Sequence, residues 1–345
     1  CVFDSGGVSD HGQRMSCPRV IALVVTFNRL SHLQRTVARL LQAAPAHLAA
    51  VLVVDNASHD GTAEWLSAQH DPRLHVLTLA KNSGGAGGFE AGMRHAMTHL
   101  DPDWVLLMDD DARPAPDMLE RFHGKDRSDF EGWVCATYFP DGGICEMNRP
   151  VLDPFRSVRR FLAALPKGRA GYHLADTAYA ASGPSDVDGA SFVGFFVARS
   201  AVERAGYPDG RLFIYGDDAL YSILLRRHGV RIGFDPQLRF VHDCGSEMGA
   251  HPIRPLWKVY YMYRNQLLVY RAAAGPLLFW PILALKAVAW RRKALAYGPM
   301  KSVYVDLWCR AVRDGAAGRR DAGFDEVRGW ANARAGAKAD TGPSS

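Results

Sequence analysis

Six cysteines are scattered through 345 residues, and no two of them stand in CxxC spacing. Neither a zinc site nor a disulfide framework is indicated, and the scatter suits a reducing compartment. No secretory signal pattern is present. The apolar run Leu277–Leu285 stops at Lys286, and Arg291-Arg292-Lys293 follow. The uncharged stretch therefore falls short of the ~20 residues of a membrane span. An interfacial helix is the better membrane reading, with Trp280, Trp290, Lys and Arg at headgroup level; a helix packed on the body or a dimer contact fits equally. The first strand-to-helix turn has no glycine, which excludes a dinucleotide-binding Rossmann domain and lacks the Gly-rich, Lys/Arg-bearing turn of nucleotidyltransferases. The formal net charge is +5, yet residues 251–345 hold 16 Lys+Arg against 6 Asp+Glu. An acidic body with a basic tail predicts contact with something anionic, a lipid surface or a phosphate-bearing acceptor. No nucleic-acid partner is expected.

What is present is a repeated pattern. Val20–Phe27 is a continuous apolar, β-branched run, as in a strand buried on both faces. Ala50–Val54, Leu74–Leu79 and Trp104–Met108 repeat it, with helices between them, at Ser31–Leu41, from Asp60-Gly61-Thr62, and up to His99. This predicts an α/β fold with a doubly wound, mostly parallel sheet. Ligands in such sheets bind outside the carboxyl ends of the strands. Thr26, Asn28 and Arg29 follow the first strand, Asp55 and Asn56 the second, Asn82 and a glycine cluster the third, and Asp109-Asp110-Asp111 the fourth.

In an extended chain Asp109 and Asp111 point the same way, about 6.6 Å apart at ~3.3 Å per residue. One could ligate a divalent ion while the other reaches it through water or holds a sugar hydroxyl. Acids decorating a helix N-terminus would look the same. Gly124–Pro184 reads as short strands and loops lining a second substrate. Ala190–Ala198 reads as a buried strand, Ala219–His228 as a helix behind the acidic pair Asp217-Asp218, and Val230–Phe234 and Leu238–Val241 as two short strands. Helices are expected over Trp257–Ala274, Leu277–Ala296 and Met300–Arg313.

Taken together, TFNR at 26–29, VVDNASHDGT at 53–62, NSGGAGGF at 82–89, MDDDARP at 108–114, LFIYGDDALY at 212–221 and VH at 241–242 resemble family-two glycosyltransferases of GT-A fold. The GGAGGF loop with DDD, and YYMYRNQ at 260–266, are most similar to the bacterial galactofuranosyltransferases, with rhamnosyltransferases next. The resemblance covers roughly Arg19 to Gln266. It implies Asp109, Asp111 and His242 as metal ligands, Mn²⁺ before Mg²⁺ because one ligand is an imidazole. It further implies Asp218 as the base that takes the acceptor's proton, and Asp217 as its positioning partner. The donor side would comprise Thr26, Asn28, Arg29, Asp55, Asn82, Gly84, Gly85, Gly87, Gly88, Asp109 and Asp110. Trp257, Tyr260, Tyr261, Arg264 and Asn265 would lie on the acceptor side. Relatives often carry Trp where Gly216 stands and an acid where Leu220 stands, which touches acceptor identity.

The implied activity is inverting transfer of galactofuranose from UDP-galactofuranose to a glycan or lipid-linked glycan, at the inner face of the plasma membrane. Transfer from dTDP-rhamnose, or catalytically silent sugar-nucleotide binding, are the alternatives. The expected organisation is a leader at 1–18, a nucleotide-sugar half at 19–123, an acceptor half at 124–250, a basic helical extension at 251–314 and a loose tail at 315–345. Met15 is the expected native start. An oligomer is compatible with the pattern.

Overall fold

The computed structural model describes residues 17–244 and 252–336. The expected leader lies outside them except for its last two residues, as does the end of the expected tail. β1 (Val20–Thr26), β2 (Ala50–Asp55) and β3 (Leu74–Thr78) alternate with α1 (Leu30–Leu41), α2 (Thr62–Ser67) and α3 (Gly84–His95), and β4 (Trp104–Asp109) follows. Residues of β1 and β2 are buried on both faces, as their β-branched runs predict. Ile21, Leu23 and Val25 enter one apolar core, while Val20, Ala22 and Val24 enter the other.

The second half holds β5 (Ala112–Pro114), α4 (Met118–His123), β6 (Gly132–Tyr138), α5 (Val158–Ala164), α6 (Asp176–Tyr179), β7 (Ser185–Val187), β8 (Phe195–Ala198), α7 (Arg199–Ala205), α8 (Asp217–Arg227) and β9 (Ile232–His242). One nine-stranded sheet runs β3-β2-β1-β4-β8-β6-β9-β5, with β7 also paired to β9. β3, β2, β1 and β4 are parallel to one another and β6 is parallel to β9, whereas β8 runs antiparallel to both β4 and β6.

Three expectations are corrected here. Gly124–Pro184 is not merely short strands and loops: it contains β6, a seven-residue strand in the middle of the sheet. The two expected strands at 230–241 are one strand, β9, whose pairing with β6 slips between Cys135 and Ala136. β9 also pairs with β7 at its start and with β5 at its end. The buried strand expected from Ala190 begins only at Phe195, because Gly194 takes φ +72°.

α9 (Lys258–Arg292), α10 (Lys301–Ala317) and α11 (Phe324–Gly336) follow, so the expected loose tail contains the end of α10 and the helix α11, joined by a non-helical link at 318–323. α9 breaks at Gly275 (φ +69°, ψ 178°) ahead of Pro276. Its first half is buried through Val259, Tyr260, Tyr261, Tyr263 and Leu267. Its second half packs Phe279 and Trp290 inward and exposes Leu277, Trp280, Leu285 and Val288. One 18-residue window of the helical stretch Lys258–Ala317 reaches a mean hydropathy of 1.6, a length and composition that would permit a membrane span.

Candidate active site

The carboxyl ends of the parallel strands meet over β4. Asp109 closes β4, and Asp110 and Asp111 form the short turn into β5. β5 pairs antiparallel with β9, placing Ala112 opposite His242. That pairing brings His242 Nε2 to 3.0 Å from Asp111 Oδ1. Ligand atoms of Asp109, Asp111 and His242 all lie within 4.8 Å of one another.

Asp110, in that turn, makes its contacts with the end of β1 and the residues after it. It is buried, accepts a hydrogen bond from Thr26 Oγ1 at 2.7 Å and meets Arg29 Nη1 at 3.0 Å. The same guanidinium nitrogen lies 2.7 Å from Asp111 Oδ2. Arg29 thus bridges two of the three acids with its side chain half-exposed.

Burial raises the Asp109 carboxyl well above the usual range, and the charges of Asp111, Asp110 and Asp217 push it further. Burial also opposes charge on Asp111, but the hydrogen bond and charge of His242, then Arg29, hold it below the usual range. Burial raises Asp217 to about 7, with Asp218 adding to it, and raises Asp218 to about 6. Asp217 is near enough for its charge to act on Asp109. Asp218 Oδ1 also accepts the Ala219 N–H at 2.7 Å, so it supports the start of α8 as well.

The segment before that pair is tightly held. Phe213, Tyr215 and Gly216 all take positive φ. The Asn265 amide nitrogen lies 3.0, 2.8 and 2.8 Å from the carbonyls of Leu212, Ile214 and Tyr215. Arg264 donates to the Arg211 and Leu212 carbonyls at 3.2 and 3.1 Å and to Asn265 Oδ1 at 2.7 Å. Both side chains are fully buried, as are Tyr260 and Tyr261. Arg264 and Asn265 hold the loop and Tyr261 stacks on Phe213, whereas Tyr260 donates to Asp314 Oδ2 at 2.9 Å; of the five expected acceptor-side residues only Trp257 is partly exposed.

On the opposite wall, Asp55 ends β2 fully buried; Oδ1 accepts the Ser58 N–H at 3.0 Å, while Oδ2 is buried without a partner. An acceptor in that state is open to a further donor. Asn28 Oδ1 accepts the His59 N–H at 2.8 Å, and Asn82 Oδ1 accepts that of Gly84 at 2.8 Å. Asn56 joins the two sides, donating to the Gly84 carbonyl at 2.8 Å and accepting from Ser83 N–H at 2.8 Å.

The glycine cluster is the first turn of α3, not a loop before it. A Cβ on Gly84 would sit 2.0 Å from the Phe213 carbonyl oxygen, one on Gly87 2.5 Å from Ser83, and one on Gly88 2.5 Å from Val25. Only Gly85 faces open space within the cluster, with nothing within 4 Å.

Two residues escaped the sequence reading. Asn148 Oδ1 lies 2.7 Å from His242 Nδ1 and lies in a stretch without periodicity. Lys258, at the start of α9, is close enough for the Arg29 charge to lower its pKa further, after burial. Its place at the first helical position was the only signal.

Two carboxylates and an imidazole form a donor set suited to a divalent ion. A ring proton on Nδ1, donated to the Asn148 carbonyl, leaves Nε2 free to offer its lone pair to a cation shared with the acids, the arrangement that metal-ligating histidines use; with no cation between them, Nε2–H donates to Asp111 instead. The residues present fit a metal.

A mostly parallel sheet with helices on its faces and acids at its strand ends is the architecture of the GT-A fold. The solved structure of GalNAc-T7 with UDP, GalNAc and Mn²⁺ matches 95% of this chain and 59% of its own, with a TM-score of 0.55 at 14% identity, a likeness of fold. The model of Glycosyl transferase family 2 matches residues 21–168. Galactofuranosyltransferase GlfT1 of Mycolicibacterium smegmatis is 30% identical over 235 residues, 66% of this chain and 72% of the relative. Its namesake from Mycobacterium tuberculosis H37Rv is 30% identical over 234 residues, 66% and 71% of the two chains. The chain belongs to glycosyl transferase family 2.

Proposed function

We propose that this glycosyltransferase moves a galactofuranosyl residue from UDP-galactofuranose to a glycan acceptor with inversion at the anomeric carbon. The likeness to two galactofuranosyltransferases supports the donor. The observation that carries the mechanism is the convergence of Asp109, Asp111 and His242 within 4.8 Å, with Asp217 close enough to act on Asp109.

Asp109, Asp111 and His242 would hold a divalent cation, Mn²⁺ by the ligand set. When bound, it neutralises charge on the departing diphosphate. Arg29 and Lys258 add positive charge at the same wall. Asp55, with its unpartnered oxygen, suits an N–H of the base. Across the cleft, Asp218 takes the acceptor hydroxyl's proton as that oxygen bonds to the anomeric carbon and the carbon–phosphate oxygen bond breaks. Asp217 orients the acceptor. Both roles need a firm loop, which Arg264 and Asn265 supply.

We place the donor-binding half at 19–123, the acceptor half at 124–250 and the basic helical extension at 251–314. The second half of α9 buries Phe279 and Trp290 yet exposes Leu277, Trp280 and Leu285 among Lys286, Arg291 and Arg292. A helix seated on protein along one side suits lying on an anionic membrane rather than spanning it. A lipid-linked acceptor at the cytoplasmic face follows from that placement.

The test is a donor panel. Purified chain with Mn²⁺ should release nucleotide from UDP-galactofuranose faster when a lipid-linked glycan is added, and not from dTDP-rhamnose. Release from dTDP-rhamnose alone would shift the assignment to a rhamnosyltransferase. Donor binding without turnover across the acceptors tried would make it a sugar-nucleotide-binding protein.

A further inference from the structure

The His242 ring separates two donor sets of different chemistry. Nε2 faces the acids. Cys145 Sγ lies 3.9 Å from Nδ1, and ligand atoms of Cys145, Cys244 and His242 all lie within 4.8 Å of one another. Met147 Sδ stands 3.1 Å from Cys244 Sγ, and Asn148 Oδ1 is 3.0 Å from Cys145 Sγ. No CxxC spacing announces this group, because its cysteines come from the end of the β6 hairpin and from just beyond β9.

In a tetrahedral zinc site, bonds of ~2.3 Å to sulfur and ~2.0 Å to nitrogen put sulfur and nitrogen about 3.5 Å apart. The 3.9 Å separation of Cys145 and His242 needs only a small contraction to reach it. Cys145 is fully buried and Cys244 partly exposed, so a cation can enter from the Cys244 side.

We propose that Cys145, Cys244 and His242 Nδ1 form a second metal site, selective for thiophilic cations of the zinc class, with Met147 or Asn148 completing its shell. Its occupation excludes His242 from the Asp109–Asp111 site. A neutral imidazole has one lone pair. With its proton on Nδ1, held by Asn148, that pair points at the acids. A thiophilic cation on Nδ1 takes the pair, the ring proton moves to Nε2, and Nε2–H donates to Asp111 Oδ1 across the existing 3.0 Å gap. The two thiol protons leave to solvent. Sulfur ligands select zinc-class ions against the hard ions that carboxylates prefer. Zinc at the thiols therefore silences the enzyme reversibly by withdrawing one ligand.

The coupling rests on the proposed role of His242, but the thiol site itself does not, and two readouts separate them. Adding Cd²⁺ or Co²⁺ to the purified full chain should produce sulfur-to-metal charge-transfer absorption saturating at one ion per chain and reversed by Zn²⁺. The band should vanish in Cys145→Ser and in Cys244→Ser, the latter being partly exposed and so the safer variant to fold. In the parent chain loaded with Mn²⁺, zinc should raise the free Mn²⁺ signal in electron paramagnetic resonance, and Cys244→Ser should keep its Mn²⁺. No band in the parent, or a band unchanged in Cys244→Ser, overturns the site. A band that forms while Mn²⁺ stays bound overturns the exclusion.

Discussion

His242 Nε2 and Asp111 Oδ1 lie 3.0 Å apart although 131 positions separate them in the chain. The contact exists because β5, directly after the acids, is the antiparallel partner of the end of β9. His242→Ala should weaken Mn²⁺ binding by about 10-fold or more, the scale seen when metal-site partners are removed. Titration calorimetry on folded variant and parent checks this. Asn148→Ala, which frees the ring proton, should lower affinity in the same direction by less.

Asp218→Asn should lower kcat by about 10²- to 10⁴-fold, the range of a lost general base, with donor binding kept. Asp218 is raised to about 6, so the parent's rate should fall as pH drops through that value, as the base takes up a proton. A single-turnover pH profile reads it.

The same pair makes a stability prediction of the less usual sign. Burial raises both carboxyls, so between their unfolded values near 4 and about 7 the folded chain binds more protons than the unfolded chain. Their ionisation therefore costs stability as pH rises through that window. Asp217→Asn should raise the melting temperature at pH 8 and leave it nearly unchanged at pH 4. The full shift from 3.8 to about 7 sets an upper bound of about 4 kcal/mol on the gain at pH 8, which partial exposure of the pair reduces.

Asn265→Ala removes the amide that meets three carbonyls ahead of the acidic pair. Unfolding should show a loss of about 1–3 kcal/mol for buried carbonyls left unpaired. Because the metal ligands lie on other elements, kcat should drop while Mn²⁺ affinity holds.

The glycines divide by space. Gly88→Ala drives a Cβ to 2.5 Å from Val25 and should cost about 1–3 kcal/mol by overpacking. Gly85→Ala meets nothing within 4 Å and should fold like the parent. If the open side admits the donor, Gly85→Ala raises KM for the nucleotide sugar without moving the melting temperature. Thermal unfolding and donor-dependent kinetics on the two variants check both.

Much of this protein was written locally. Val20–Thr26 and Ala50–Asp55 are strands because β-branched apolar runs can be satisfied only by burial in a sheet, and the acids stand where those runs stop. A short-range pattern records backbone periodicity and burial, so the sheet's first half, and the end of it that holds the site, could be read from it. Tertiary structure alone decided which distant groups touch. The end of β9 pairs with β5 and so carries His242 to Asp111. Folding also buried Arg264 and Asn265 under the 211–216 loop, turned most of the glycine cluster to packing, and closed Cys145 and Cys244 around one imidazole. Contacts of that range leave no periodic trace in the chain, because each depends on register and packing set by segments far from either partner.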